Sequence, residues 1–324
     1  MKASIFTQYG APNVLQIKDV TKPTPKDNEV LVKIHATTVN RTDCGFRSAE
    51  YFIVRLMNGL FSPKKQILGT EFSGEVEAIG KDVKTFKIGD QVFGLNTFKF
   101  STHAEYVCIP EHKSIALKPN NMSYEEAAAV CDGLMLAINY VGKIDFKTNP
   151  NIIINGTSGS IGSAALQLAK YYGAKHITAV CNTKNIELMK TLGAHEVIDY
   201  TKEDFTKNGK QYDLILAVNG YHPINDYKSA LTSKGIYVMA GGSTKQMFEA
   251  LLQSSFVSEK NGRKLGVLTA LPKQDDLVYL KGLTEAGKLK PVIDKRFSLN
   301  EAAHALRYLG EGHARGKVIL TVAS

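Results

Sequence analysis

The segment Asn155-Gly156-Thr157-Ser158-Gly159-Ser160-Ile161-Gly162 follows an apolar run at Asn151–Asn155 and opens a stretch with helical spacing. Small residues between a strand and a helix let backbone N–H groups approach a pyrophosphate. The first helical turn adds unpaired donors and the positive end of the helix dipole. The spacing is G-x-x-G-x-x-G rather than G-x-G-x-x-G, so Thr157 and Ser158 take the place of a middle glycine. Gly162 is expected to let the helix pack closely on the strand. Dinucleotide contacts are therefore expected from Gly156, Thr157, Ser158, Gly159, Ser160 and Ile161. An NAD site usually places Asp or Glu about 20 residues downstream, on the ribose 2′-hydroxyl. Here the next strand ends in Asn182-Thr183-Lys184-Asn185, with no acid and one lysine. A lysine beside amide and hydroxyl side chains suits a 2′-phosphate, so the reading favours NADPH.

A phosphate-binding turn requires strands and helices to hold it. From Ser123, which precedes an Ala-rich helix with Glu126 placed to close a capping box, apolar runs and helical stretches alternate. Strands are expected at His176–Cys181, Glu196–Asp199, Tyr212–Val218 and Ile236–Ala240. This alternation predicts an α/β fold with a doubly wound parallel sheet. The first part of the chain instead shows short extended runs punctuated by Gly and Asp, at 30–36, 72–79, 91–93 and 104–109, and predicts a small β-rich, barrel-like domain. The expected domains are 1–118, 119–270 and a C-terminal segment, 271–324, that packs back on the first.

Composition narrows the function classes. No apolar run reaches the roughly 20 residues of a membrane span, and no secretory signal opens the chain, so a cytoplasmic location is expected. The four cysteines are scattered without C-x-x-C pairs, which argues against a disulfide framework or zinc ribbon. The net charge of +9 is spread along the chain, and no nucleic-acid module accompanies it.

Gly69-Thr70-Glu71-Phe72-Ser73-Gly74-Glu75-Val76, the run Val83–Gly94, Ala104-Glu105-Tyr106, the cofactor turn with Gln167-Leu168-Ala169-Lys170, Leu192-Gly193-Ala194 and Gly316-Lys317-Val318 together resemble the medium-chain dehydrogenase/reductase superfamily. The resemblance covers essentially the whole chain and points to the zinc-free quinone oxidoreductase branch. The segments 181–187 and 312–317 are similar to chloroplast-envelope quinone oxidoreductase homologues. It implies a Rossmann-type domain joined to a GroES-like domain. At the family's catalytic zinc positions stand Asn40, in place of a cysteine, and Thr70, in place of a histidine, so no metal is expected.

The resemblance further implies that Asn40 lies beside the nicotinamide, that Asp43 orders the adjoining loop or takes part in chemistry, and that Tyr51 donates to the acceptor oxygen. On the cofactor side it adds Tyr200 near the adenine, Asn219, Gly241 and, near the inter-domain cleft, Lys317. Where the family often has Gly-Leu-Thr, this chain has Gly133-Leu134-Met135. The expected function is NADPH-dependent reduction of quinones or α,β-unsaturated carbonyl compounds. A trans-2-enoyl thioester reductase and a low-turnover NADPH-binding structural or RNA-binding protein are the alternatives. Expected partners are a small electron-poor acceptor and a second copy in a homodimer, with neither nucleic acid nor integral membrane association.

Overall fold

The computed structural model describes residues 1–97, 99–142, 145–148, 150–218, 222–240, 264–267, 273–312 and 314–322. Two compact units divide the chain: Met1–Met135 with Pro272–Ser324, and Leu136–Leu271.

The first unit opens with a hairpin, β1 (Lys2–Ile5) and β2 (Gln16–Asp19), which the sequence reading did not anticipate. Its main sheet is built around β3 (Glu29–Val39), eleven residues long and buried along nearly all its length. β3 pairs antiparallel with β4 (Glu71–Ile79), and β4 with β5 (Gln91–Leu95). β6 (Tyr106–Pro110) also pairs with β3, and β7 (Ile115–Leu117) with β5. The C-terminal strands Ile293–Ser298 and Lys317–Thr321 extend the sheet through β3. The seven-strand path has two distinct ends, and no pairing among the described residues closes it into a barrel. Val32, Ile34, Phe72, Val92, Ile109 and Leu320 meet in its core.

Two short helices follow β3: α1 (Arg41–Ser48) and α2 (Phe52–Asn58). α3 (Tyr124–Val141) starts with the expected capping box, Glu126 N donating to Ser123 Oγ at 3.2 Å and Ser123 N to Glu126 Oε2 at 2.9 Å. Among the described residues, no helix is long and apolar enough to cross a membrane.

The second unit is a parallel sheet with helices. Its strands are β8 (Asn151–Asn155), β9 (His176–Cys181), β10 (Glu196–Asp199), β11 (Tyr212–Ala217), β12 (Leu231–Met239) and β13 (Lys264–Val267). The spatial order is β10-β9-β8-β11-β12-β13, every pair parallel. The chain winds outward from β8, then returns to β11 and winds the other way. The winding reverses between β8 and β11, and open α/β sheets bind ligands at the carboxyl ends of strands where the order reverses. The helices α4 (Ser160–Tyr171) and α5 (Ile186–Leu192) connect the first half. In α4 the buried residues Ala164, Ala165, Leu168 and Ala169 recur at helical spacing, which fixes the face that packs inward.

Candidate active site

In the second unit the glycine turn lies at the carboxyl end of β8, beside the reversal. Gly156 has φ of +88°, a conformation that favours glycine, and the N–H groups of Gly156 and Thr157 both donate to Val180 O at 3.2 and 3.1 Å. The buried Thr157 hydroxyl locks the turn from inside, donating to Ile154 O at 2.6 Å and accepting from Val180 N at 3.0 Å. Gly159 is the N-cap of α4 and supplies no side-chain bond, so the first-turn N–H groups of the helix are left for a ligand. A Cβ on Gly162 would lie 2.4 Å from Gly156 O and 2.6 Å from Thr157 Cα. Gly162 thus brings the helix onto the turn itself, rather than onto the strand as the sequence suggested.

Further along the same edge, the Oδ1 atoms of Asn182 and Asn185 are buried without a hydrogen-bond partner. Such atoms cost free energy unless a ligand or water satisfies them. Lys184 is exposed at the same corner, and Tyr200 is exposed beyond β10. One neighbour escaped the sequence reading. Asp199, at the end of the adjacent strand, accepts from Thr183 Oγ1 at 2.5 Å and from Thr201 Oγ1 at 2.7 Å. The Thr183 bond, foremost among these, holds the Asp199 carboxyl below its usual range. An acid is therefore present after all, brought from the next strand and bound to a threonine, with Lys202 Nζ 3.8 Å away. Asn219 and Gly241 lie outside the described residues. The open helix terminus, the glycine cradle and the two unpartnered amides fit a dinucleotide.

In the first unit a polar cluster sits where β3 ends. Asn40 caps α1: its Oδ1 accepts from Asp43 N at 3.0 Å, while Asp43 Oδ2 accepts from Asn40 N at 2.9 Å. Asp43 Oδ1 also accepts from Gly69 N at 2.8 Å, and His103 Nε2 is 3.8 Å from its Oδ2, both side chains being fully buried. Burial raises the Asp43 pKa, and His103 and the two N–H donors oppose that rise. These are the bonds of a carboxylate that orders a loop. Asn40 Nδ2 donates to Thr70 Oγ1 at 2.8 Å. Tyr51, at the start of α2, is 44% exposed.

In a second set the sequence singled out Lys317 alone, as a cofactor-side residue. Glu71, fully buried, accepts from Lys317 Nζ at 2.5 Å, from Thr38 Oγ1, and through Oε1 from Asp132 N at 2.8 Å. Lys317 is therefore an internal counter-ion within this unit. Asp132 lies on α3 with its pKa pushed up to about 6, first by burial and then by the Glu71 charge, with Lys317 opposing. Its folded pKa lies above the unfolded value, so its ionisation weakens the fold as pH rises from roughly 4 to roughly 6. Asp132→Asn is expected to gain stability relative to the parent across that interval. Urea unfolding at several pH values checks this, and a pH-independent difference would contradict it. The only sequence signal was an acid in the largely apolar run of α3 that follows Glu126.

Catalytic zinc requires about three thiolate, imidazole or carboxylate donors. At the family's zinc positions stand an amide and a hydroxyl bonded to each other, and no His/Cys/Asp/Glu group among the described residues could hold a metal ion. The donor set does not fit zinc. Burial raises the thiol pKa at Cys44, Cys108, Cys131 and Cys181, so none is a ready nucleophile.

Residues 26–120 match the alcohol dehydrogenase GroES-like domain family, and residues 192–320 match the zinc-binding dehydrogenase family. A 2-methylene-furan-3-one reductase from Solanum lycopersicum is 34% identical, over 99% of this chain and 79% of its own length. The chloroplastic quinone-oxidoreductase QR1 of Triphysaria versicolor is 33% identical, over 99% and 98%. The chain belongs to the quinone oxidoreductase branch of the medium-chain dehydrogenase/reductase superfamily. A solved quinone oxidoreductase from Coxiella burnetii superposes with a TM-score of 0.87 at 30% identity, covering 100% of this chain and 99% of that one. The protein is thus an oxidoreductase of this superfamily, with a GroES-like and a Rossmann-type part.

Proposed function

We propose that this oxidoreductase uses NADPH to reduce quinones or α,β-unsaturated carbonyl compounds without a metal. The observation that carries the reading is the Asn40 Nδ2–Thr70 Oγ1 hydrogen bond, which occupies the zinc positions with neutral groups. Neutral donors do little to acidify an alcohol, the step on which metal-dependent alcohol oxidation depends. They suit an acceptor that is already electron-poor and needs only its developing oxygen charge stabilised. The tomato relative, named for an α-methylene ketone, and the quinone oxidoreductases support this choice.

Each residue has a role in this reading. The turn from Gly156 to Ile161 and the uncapped end of α4 hold the pyrophosphate, while Asn182, Asn185 and Lys184 hold the adenosine end with Tyr200 beside it. When bound, NADPH supplies a hydride. Asn40 keeps one amide hydrogen after bonding Thr70, and the Thr70 hydroxyl accepts that bond with its own proton left to donate. Asn40 can thus steady the nicotinamide amide or the acceptor oxygen, and Tyr51 can donate to the same oxygen. Asp43 fixes the loop carrying Asn40, and Lys317 pairs with the buried Glu71.

Lys184→Ala is expected to weaken NADPH binding by about tenfold and leave NADH binding nearly unchanged, as loss of a charge-assisted phosphate contact predicts. Cofactor fluorescence titrations check this, and equal loss for both would remove Lys184 from the 2′-phosphate. NADPH oxidation measured with a quinone, an enone and an enoyl-CoA tests the function. Turnover with the first two supports it, whereas turnover confined to enoyl-CoA makes the protein a thioester reductase. Tight NADPH binding without turnover on any of the three defeats the enzymatic reading.

A further inference from the structure

A surface helix ordinarily turns its apolar residues inward, and α2 does the opposite. Val54 and Asn58 are buried, while Phe52, Ile53, Leu56 and Met57 face outward at 58–64% exposure. Leu60 and Phe61 continue the patch past the helix, Phe61 at 88% exposure. The pairs 52/53, 56/57 and 60/61 repeat every four positions, so within the helix they share one side. Scattered apolar residues on a surface need no explanation, but six of the ten residues 52–61 gathered outward mark a contact surface.

The charges along the patch segment itself are positive, with the exposed acid Glu50 just ahead of it. Residues 51–70 contain Arg55, Lys64 and Lys65 and no acid. Lys64 is exposed, Lys65 lies with its ammonium 5.4 Å from the Phe100 ring centroid, and Arg55 reaches the Leu60 carbonyl at 3.2 Å. Arg41, on α1, is exposed as well, and the whole chain carries +9.

We propose that this surface docks the protein on an anionic lipid bilayer. The outward aromatic and aliphatic side chains enter the boundary between headgroups and acyl chains, and the flanking cations meet the lipid phosphates. The seven residues of α2 are far too few to span the membrane, so the contact is interfacial. A second copy of the chain is a poorer occupant. A two-fold interface lays a patch against itself, setting Arg55, Lys64 and Lys65 against their own copies.

Co-sedimentation of the full chain with vesicles of phosphatidylglycerol and phosphatidylcholine, and with phosphatidylcholine alone, tests the proposal. Binding is expected to the anionic vesicles, about tenfold or more over the neutral ones, weakening as salt rises. Phe52→Ser with Phe61→Ser is expected to reduce it about tenfold, and Lys64→Glu about fivefold or more. NADPH binding, unchanged in these surface variants, shows that they fold. The proposal fails if the parent does not bind anionic vesicles or if the Ser variant binds them equally well. It also fails if light scattering shows that the Ser variant dissociates a dimer while vesicle binding stays unchanged.

Discussion

Replacing Lys317 with methionine is expected to destabilise the protein by about 3–5 kcal/mol, one of the two largest single-residue effects anticipated here. Glu71 is fully buried and Lys317 is its only cationic partner among the described residues, the two side chains being 0% and 5% exposed. Removing the ammonium leaves a carboxylate whose desolvation is compensated only by Thr38 and by the Asp132 N–H. The double variant Lys317→Met, Glu71→Gln should recover part of the loss, because no buried charge is then orphaned. Urea unfolding of the parent and both variants measures these differences. A Lys317→Met loss under about 1 kcal/mol would show that the pair is solvated.

The second large effect concerns Gly162. Its replacement by alanine puts a Cβ 2.4 Å from Gly156 O and 2.6 Å from Thr157 Cα, both backbone atoms of the turn that holds the cofactor. Neither can yield without moving the turn, and the Thr157 hydroxyl ties that turn to Ile154 and Val180. Overpacking of this kind costs about 1–3 kcal/mol of stability. Because displacement falls on the pyrophosphate cradle, NADPH affinity should fall by about a hundredfold, whereas Gly159→Ala should be far milder, its nearest neighbour being 3.8 Å from the added carbon. Titrating NADPH into both variants separates the outcomes. Equal affinities would mean that close approach at Gly162 does not shape the site.

Features written in neighbouring residues were legible in the sequence. The turn at 156–162, the Ser123–Glu126 box and the alternation of strands and helices rest on contacts a few positions apart. The cluster around Glu71 was not, since Lys317 lies 246 residues away in the chain and a buried carboxylate leaves no local periodic mark. Asp199 was hidden for a related reason. It reaches Thr183 only because β10 pairs with β9, a neighbour relation set by the winding of the sheet. Asn40 was read from its position in a motif, and the structure adds its bond to Thr70, which no spacing rule joins across 30 residues. α2 was missed because its apolar residues do not serve the core.

The proposed reaction is reduction of a conjugated carbon–carbon bond or a quinone with NADPH, using the neutral side chains of Asn40 and Thr70 in place of a metal. Its most direct test is the fate of deuterium from C4-deuterated NADPH after turnover with an enone in the presence of a metal chelator. Deuterium is expected at the β-carbon of a saturated ketone product. Deuterium at the carbonyl carbon of an allylic alcohol would contradict it.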